Sequence, residues 1–280
     1  MGMRARFRKK EQMQNTVCSK RIRVGKLNIK YFTGGHGEPL VIIHGGGDGA
    51  RSWLKNAREL SEYYSVYIPD LPGFGGSQSI NDKFNLPEYV SFVEDFSNVL
   101  QLESFYLVGH SIGGGIALHY AFRHPDRVSA LVLVNSFCLG KEIALWVRVL
   151  SASALYKSLG KAALAAIKAV KWLIYQLSIP LHLGDHLNDV KIDMGRTMTT
   201  LKGQSAVLHD QLPGLAMPTL VIWGAKDIIV PASHAYVAAN TIPDCQLHVF
   251  DDCGHSAYKQ RVPEFSQVVT RFLGQNRQPL

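Results

Sequence analysis

The stretch Leu107-Val108-Gly109-His110-Ser111-Ile112-Gly113 decides the fold that we expect for this chain. The apolar residues 105–108 predict a short buried strand, and residues 114–123 predict a helix. Between them, the Gly-X-Ser-X-Gly pattern predicts a sharp strand-to-helix turn with Ser111 at its exposed corner. Unpaired N–H groups and the dipole at the start of the helix would favour negative charge that develops beside Ser111. Ser111 is therefore a candidate nucleophile, and an ordinary strand–helix turn is the alternative.

Apolar runs on both sides of this turn predict the other strands of a mostly parallel sheet. Each run is short and bounded by turn residues, as expected for strands that helices cover on both faces. The predicted parallel strands span residues 40–43, 66–68, 105–108, 128–134, 218–223 and 246–250. Helix-like segments, among them residues 52–64, separate these strands, and the alternating residues 21–32 predict an antiparallel hairpin that turns near Gly25. We therefore expect the α/β class, with a mostly parallel sheet of about eight strands flanked by helices.

The strand pattern is interrupted between residues 136 and 212. This stretch is rich in Ala, Leu, Ile and Trp, and we interpret residues 136–212 as an inserted helical cap. The α/β core would comprise residues 21–135 and 213–280, preceded by a basic N-terminal tail at residues 1–20. Four lysines in the cap fall on one narrow helical arc: Lys157, Lys161, Lys168 and Lys171. A lysine arc of this kind is typical of a solvated lid, and weak peripheral contact with a membrane is the alternative.

Composition and charge restrict the class of protein. The chain has 280 residues, of which 46% are hydrophobic and 19% charged, as in soluble globular proteins. The net charge of +8 is concentrated at one end, because residues 1–30 carry ten Lys or Arg and one acid. Since the rest is nearly neutral, we interpret the tail as solvated, with contact to nucleic acid or anionic lipid as the alternative, and we expect no nucleic-acid partner. We expect neither a transmembrane segment nor a secretory signal, because no apolar run is long enough for either.

The cysteine pattern argues against a metal site. The four cysteines are Cys18, Cys138, Cys245 and Cys253. None has metal-ligand spacing, and we expect free thiols in a reducing, cytoplasmic compartment, with a Cys245–Cys253 disulfide as the alternative. Neither a phosphate-binding loop nor a dinucleotide fingerprint is present, so we predict no metal and no cofactor.

Three polar side chains lie just after predicted strands: Ser111, Asp227 and His255. Because ligands bind at the carboxyl ends of parallel strands, these side chains can meet although they are far apart in sequence. A serine hydroxyl becomes nucleophilic when a base takes its proton, and imidazole titrates near neutral pH. We therefore predict Ser111 as catalytic nucleophile, His255 as base and Asp227 as the acid that orients the base. Asp251 and Asp252 are the alternative acids.

The stretch His44-Gly45-Gly46-Gly47 follows another predicted strand and predicts an oxyanion hole. We expect the backbone N–H groups of Gly46 and Ile112 to be its donors. Loss of one such donor typically costs about 3–4 kcal/mol of transition-state stabilisation. His110 is predicted to pack beside the nucleophile, and Asp70 to stabilise its own turn rather than the pocket.

Five motifs, taken in order, resemble the α/β-hydrolase family over about residues 25–275. They are His-Gly-Gly-Gly at 44–47, Asp-Leu-Pro-Gly-Phe-Gly-Gly-Ser at 70–77, Gly-His-Ser-Ile-Gly at 109–113, Trp-Gly-Ala-Lys-Asp at 223–227 and Cys-Gly-His at 253–255. The resemblance implies that family's fold, its chain order of nucleophile, acid and histidine, and a cap at the position of the insertion. The serine at the nucleophile position is unlike the dehalogenase and epoxide-hydrolase branches of the family, where the resemblance would require aspartate. Residues 44–56 are also similar to the oxyanion loop of carbon–carbon bond hydrolases, with Gly-Asp-Gly in place of their usual Gly-Pro-Gly.

These predictions indicate a serine hydrolase that cleaves an ester of a small to medium, fairly apolar substrate through an acyl-enzyme. One alternative is a carbon–carbon bond hydrolase for a keto-dienoate, whose negative charge would need a cation such as Arg51 or Arg196. Another is a ligand receptor that retains a hydrolase pocket, and a third is an interaction protein that acts through its basic tail. His182, His186 and His209 are candidates for the cavity wall. The sequence assigns a small-molecule substrate but neither the substrate-binding residues nor the oligomeric state.

Overall fold

The computed structural model describes residues 16–47, 49–78, 84–151 and 198–276. In these ranges the strands are β1 (Cys18–Val24), β2 (Leu27–Gly34), β3 (Pro39–Ile43), β4 (Ser65–Pro69), β5 (Phe105–His110), β6 (Val128–Val134), β7 (Thr199–Thr200), β8 (Gly203–Gln204), β9 (Thr219–Gly224) and β10 (Cys245–Phe250). The α-helices are α1 (Leu54–Leu60), α2 (Leu86–Val99), α3 (Ile112–Arg123), α4 (Leu145–Ser151), α5 (Ser233–Thr241), α6 (Ala257–Gln260) and α7 (Val262–Gln275). Short 3₁₀ helices span Gly49–Trp53, Pro125–Arg127 and His209–Gly214.

Eight strands form one sheet in the order β1-β2-β4-β3-β5-β6-β9-β10. β2 pairs antiparallel with both β1 and β4, which confirms the predicted N-terminal hairpin. The remaining neighbours, from β4 to β10, pair in parallel. The expected mostly parallel sheet is therefore confirmed, and the carboxyl ends of β3, β5, β6, β9 and β10 lie at one edge.

Successive residues of the central strands face two separate apolar clusters. In β3, Val41 and Ile43 belong to one cluster, whereas Leu40 and Ile42 belong to the other. Residues of α2 and α3 contribute to the first cluster, and residues of α1 and α7 to the second. Burial of each such aliphatic side chain stabilises the fold by about 1.5–3 kcal/mol. The strands read as continuous apolar runs because both faces of the sheet are covered.

The helix boundaries follow local capping and packing. α2 begins with a capping box, in which the Asn85 side chain accepts from the Glu88 N–H and the Glu88 carboxylate accepts from the Asn85 N–H. The predicted helix over residues 52–64 is divided into the 3₁₀ helix Gly49–Trp53 and α1. This division buries Trp53, whose ring stacks on Tyr258 with centroids 4.0 Å apart. α6, which carries Tyr258, was not predicted from the sequence.

The insertion leaves the sheet after β6 and returns at β9. These two strands are direct neighbours, with Leu131 opposite Thr219. The described parts of the insertion contain α4 and a short antiparallel pair, β7 and β8, which the sequence did not predict. Residues 152–197, which include the lysine arc, lie outside the described residues, so the bounds of the cap stay a prediction. No helix in the described part of the chain is long and apolar enough to cross a membrane.

Candidate active site

Ser111 lies in a strained turn between β5 and α3. Its backbone has φ +55° and ψ −122°, in the left-handed half of φ space that a non-glycine residue adopts only at a cost. Two flanking glycines allow the turn because the backbone approaches closely on both sides. A Cβ on Gly113 would lie 2.3 Å from the His44 carbonyl oxygen, and one on Gly109 would lie 2.5 Å from the Gly113 oxygen. The glycines of the Gly-X-Ser-X-Gly pattern are therefore steric requirements of the fold.

The structure brings Ser111, His255 and Asp227 into one hydrogen-bonded chain. The Ser111 Oγ lies 2.9 Å from His255 Nε2, and His255 Nδ1 lies 2.7 Å from Asp227 Oδ2. The carboxylate fixes the tautomer by this arrangement, with Nδ1–H donating to Asp227 and Nε2 free to accept from the serine hydroxyl. The Asp227 side chain is fully buried, and that of His255 is 15% exposed. A buried carboxylate thus supports an imidazole whose other nitrogen meets the Ser111 hydroxyl. Ser111 itself is buried, so the exposed corner expected from the sequence is wrong for the described structure.

Asp227 accepts hydrogen bonds from three further groups besides His255. Its Oδ1 accepts from the Ile229 N–H at 2.8 Å and the Val230 N–H at 3.0 Å, and its Oδ2 also accepts from Asn135 Nδ2 at 2.7 Å. Burial alone raises the pKa of this carboxyl, but the bond to His255, the charge of His255 and the other donors outweigh burial and lower the pKa below its usual value. Asp227 is therefore ionised at neutral pH and can stabilise a protonated His255.

Asn135 is a residue of the candidate site that the sequence analysis missed. It follows β6 directly, is fully buried, and has φ +43°, which asparagine tolerates better than most residues. The same rule that identified Ser111 applies here, because a polar residue directly after an apolar strand lies at the carboxyl edge of the sheet. The run that forms β6 ends at Val134, and the next residue donates to the buried carboxylate.

The predicted oxyanion loop lies beside the start of α3. His44 holds the loop: its Nε2 accepts from the Leu71 N–H at 2.9 Å, and its Nδ1 donates to the Gly45 oxygen at 2.6 Å. A Cβ on Gly46 would lie 3.2 Å from Ile112 Cδ1, so Gly46 and Ile112 are neighbours. Within the described chain, neither of their N–H groups donates to another residue. Two adjacent N–H groups without acceptors are suited to bind an oxyanion.

Asp70 connects two loops next to the site. Its Oδ1 accepts from the Ala50 N–H and its Oδ2 from the Gly76 N–H, each at 2.9 Å. Ala50 belongs to the 3₁₀ helix after the oxyanion loop, whereas Gly76 belongs to the glycine-rich turn. The carboxylate is buried, and a Cβ on Gly75 would lie 2.3 Å from it. Asp70 therefore stabilises its own turn, as predicted. It also holds the 3₁₀ helix that follows the oxyanion loop, and the sequence analysis did not favour such a role near the pocket.

His110 packs beside the nucleophile and contacts the base. Its Nε2 donates to the His255 backbone oxygen at 2.8 Å, and its ring lies against Tyr258 with centroids 4.7 Å apart. Burial lowers the pKa of His110 well below its usual value, and the neighbouring His255 lowers it further. His110 is therefore neutral at physiological pH, and it positions the segment that carries His255.

The described alternatives for the acid and the cavity wall do not converge on this site. The Asp252 carboxylate pairs with Arg261 at the surface, which leaves Asp227 as the acid that meets His255. His209 is exposed, whereas His182, His186 and Arg196 lie outside the described residues. All four cysteines are unpaired, so the alternative disulfide between Cys245 and Cys253 is absent. In the described ranges no cluster of three His, Cys, Asp or Glu could hold a metal ion.

Comparisons with known proteins agree with the fold. The model of the α/β-hydrolase fold family matches residues 38–262. A 2-hydroxymuconate semialdehyde hydrolase from a Pseudomonas species is 33% identical over 260 residues, covering 86% of this chain and 88% of the relative.

Two solved structures are similar over nearly the whole chain. One is a serine hydrolase from the polyaromatic-hydrocarbon-degrading bacterium Cycloclasticus zankles. It is 26% identical with a TM-score of 0.74, and the match covers 92% of this chain and 98% of that chain. The other is a membrane phospholipase A described as a bacterial virulence factor, with a TM-score of 0.71, 26% identity, and 98% of this chain and 91% of that chain covered.

Proposed function

The chain belongs to the α/β-hydrolase fold family, and from that premise we propose that it is a serine hydrolase that cleaves carboxylic esters through an acyl-enzyme on Ser111. One observation carries the proposal: Ser111 Oγ, the His255 imidazole and the Asp227 carboxylate are joined by hydrogen bonds of 2.9 and 2.7 Å. This arrangement is what a hydroxyl needs to become a nucleophile at neutral pH.

In the proposed reaction, Ser111 Oγ attacks the carbonyl carbon while His255 Nε2 takes the hydroxyl proton. The carbonyl oxygen becomes an oxyanion, which the N–H groups of Gly46 and Ile112 would bind. Protonated His255 then donates its proton to the leaving alkoxide, and the carbon–oxygen bond of the ester breaks. In the second half, His255 deprotonates a water that attacks the acyl group, and the proton returns to Ser111. Asp227 stays ionised throughout and stabilises the imidazolium.

Two observations support an ester of a fairly apolar substrate as the first candidate. The predicted cap is rich in Ala, Leu, Ile and Trp, and such side chains line cavities for apolar ligands. The similarity to a phospholipase A, at 26% identity, extends over 98% of this chain.

Cleavage of a carbon–carbon bond is the second candidate, favoured by the relative named 2-hydroxymuconate semialdehyde hydrolase at 33% identity. The same serine and oxyanion donors could act on a ketone carbon. A dienoate substrate carries a carboxylate, which would need a cation beside the cavity. Arg51 is exposed in the 3₁₀ helix that follows the oxyanion loop and is the described residue that we propose for this role.

Turnover of two substrate classes separates these candidates. We expect hydrolysis of p-nitrophenyl butyrate and hexanoate to exceed hydrolysis of a 2-hydroxy-6-oxo-dienoate, each followed by absorbance. Ser111→Ala should abolish turnover and labelling by a fluorophosphonate, whereas Ser233→Ala, at an exposed serine, should change neither. Dominant dienoate cleavage that falls in Arg51→Gln but not in the control Arg58→Gln would establish the second candidate instead. Labelling without turnover of either substrate would contradict both and favour a receptor.

A further inference from the structure

Three segments meet at the edge of the sheet that carries the candidate site. They are residues 141–148, 199–204 and 226–230. The Ala144 N–H donates to the Ile229 oxygen, and the Gln204 N–H donates to the Lys141 oxygen, each at 2.9 Å. Because the third segment includes Asp227, this edge lies beside the hydrogen-bonded chain of the site. The three segments therefore form one continuous surface next to the proposed active site.

Large apolar side chains project from all three segments. The exposed fractions are 65% for Leu145, 40% for Trp146, 62% for Leu201 and 80% for Ile228. We call these four residues the apolar lip. Exposure of this extent at grouped Leu, Ile and Trp side chains is unusual for a surface that only water contacts. The lip is therefore suited to contact something other than solvent.

The charges around the apolar lip are predominantly positive. Lys141, Lys202 and Lys226 are exposed, and none of them pairs with a described acidic residue. The three segments contain two acids: Glu142 is bonded to His234 Nε2 at 2.8 Å, and the buried Asp227 carboxylate is bonded to His255 in the site. An apolar surface beside exposed lysines that pair with no described acid is complementary to negative charge.

We propose that the apolar lip docks this protein on an anionic lipid bilayer and thereby draws its substrate from the membrane surface. Lysine is depleted in protein–protein interfaces, whereas lysine, tryptophan and aliphatic residues together are typical of membrane-surface contacts. Leu145, Trp146 and Leu201 enter the headgroup region, and the lysines bind lipid phosphates. The docking proposal rests on the proposed ester hydrolysis, because it names the source of the substrate. Vesicle binding is nevertheless measured independently of turnover.

Vesicle co-sedimentation with the full chain tests the docking. We expect binding to vesicles of phosphatidylcholine with 30% phosphatidylglycerol, and at least tenfold weaker partitioning onto pure phosphatidylcholine. The double variant Leu145→Ser/Leu201→Ser should lower partitioning by at least tenfold, and Lys141→Gln/Lys202→Gln by roughly five-fold per lysine. The matched control is Tyr63→Ser/Val99→Ser, which removes similarly exposed apolar side chains that precede β4 and β5, at the opposite edge of the sheet.

Several outcomes would overturn the docking proposal. Unchanged partitioning of the Leu145/Leu201 variant would assign any binding to another part of the chain, such as the basic tail. Equal binding to both vesicle types would refute the charge argument. A dimer that dissociates in the same variant would identify a second copy as the occupant. Intact folding is checked by far-ultraviolet circular dichroism, which does not depend on the proposed hydrolysis. Ser111→Ala should bind vesicles like the parent. A failure of the proposed hydrolysis can therefore be distinguished from a failure of the docking.

Discussion

Replacing Asn135 by aspartate exchanges a donor for an acceptor at the centre of the site. Asn135 Nδ2 lies 2.7 Å from Asp227 Oδ2, the same oxygen that accepts from His255. Aspartate has nearly the same shape and also tolerates the observed φ of +43°. The variant therefore preserves the backbone and replaces the amide N–H donor at this contact by a carboxyl oxygen. When the introduced carboxyl is ionised, two carboxylates face each other in a buried site.

The expected loss follows from one hydrogen bond to a charged group, which is worth about 1.5–3 kcal/mol. At 1.36 kcal/mol per factor of ten, this corresponds to a loss of kcat/KM of roughly 10- to 150-fold. Two close carboxylates cannot both ionise freely, so one pKa of the pair is strongly raised. Below that pKa, the introduced carboxyl is neutral and donates to Asp227 as the amide did. The ratio of variant to parent activity should therefore fall as the pH rises.

The assay is kcat/KM for p-nitrophenyl butyrate between pH 5.5 and 9, measured for the parent and Asn135→Asp. Asn28→Asp is the control, because it adds the same charge at an exposed position of β2. We expect a variant-to-parent ratio near one at the acidic end and a fall to the predicted loss at the alkaline end. A ratio that stays constant with pH, or equals one throughout, would refute the role of Asn135 as a donor to Asp227.

Three further predictions concern the same site. His110→Phe should lower kcat about tenfold with little change in KM, because the bond to the His255 oxygen is lost, and His110→Gln, which places an amide at the position of Nε2, should restore most of it. Gly113→Ala should lower the midpoint of urea unfolding or prevent folding, because its Cβ would lie 2.3 Å from the His44 oxygen. The lowered pKa of Asp227 contributes stability that is complete above the ordinary carboxyl pKa near 4 and is lost as the pH falls through the lower folded value. The difference in unfolding free energy between the parent and Asp227→Asn should therefore shrink from pH 5 to pH 3, and a difference independent of pH would contradict this assignment.

The sequence predicted the fold and the proposed site wherever short-range patterns carry the information. Continuous apolar runs identified the parallel strands, and polar residues within a few positions of their ends identified Ser111, Asp227 and His255. Asn135 obeys the same rule but was missed, because nothing in its neighbourhood distinguishes a donor from an ordinary turn residue. Its role depends on β6 and β9 lying side by side. These two strands are far apart in sequence, so local sequence patterns do not show that they pair. α6 and its Tyr258 were missed for the same reason, since the stacking partner, Trp53, is distant in sequence.

Backbone strain at the site is sustained by the strands around it. Ser111, Asn135 and Cys138 all have positive φ, at a cost of order 1–3 kcal/mol each. Bonds across the carboxyl edge hold the first two: the Ser111 N–H donates to the Val134 oxygen, and the Asn135 N–H donates to the Ile222 oxygen. Each of these two residues is thus fixed by the next strand in the sheet order β5-β6-β9. Loosening of this edge would release the strain and separate Ser111 from His255 while the rest of the core stays folded. We therefore expect turnover to be lost at lower urea concentrations than the far-ultraviolet circular dichroism signal, and coincident transitions would contradict this view.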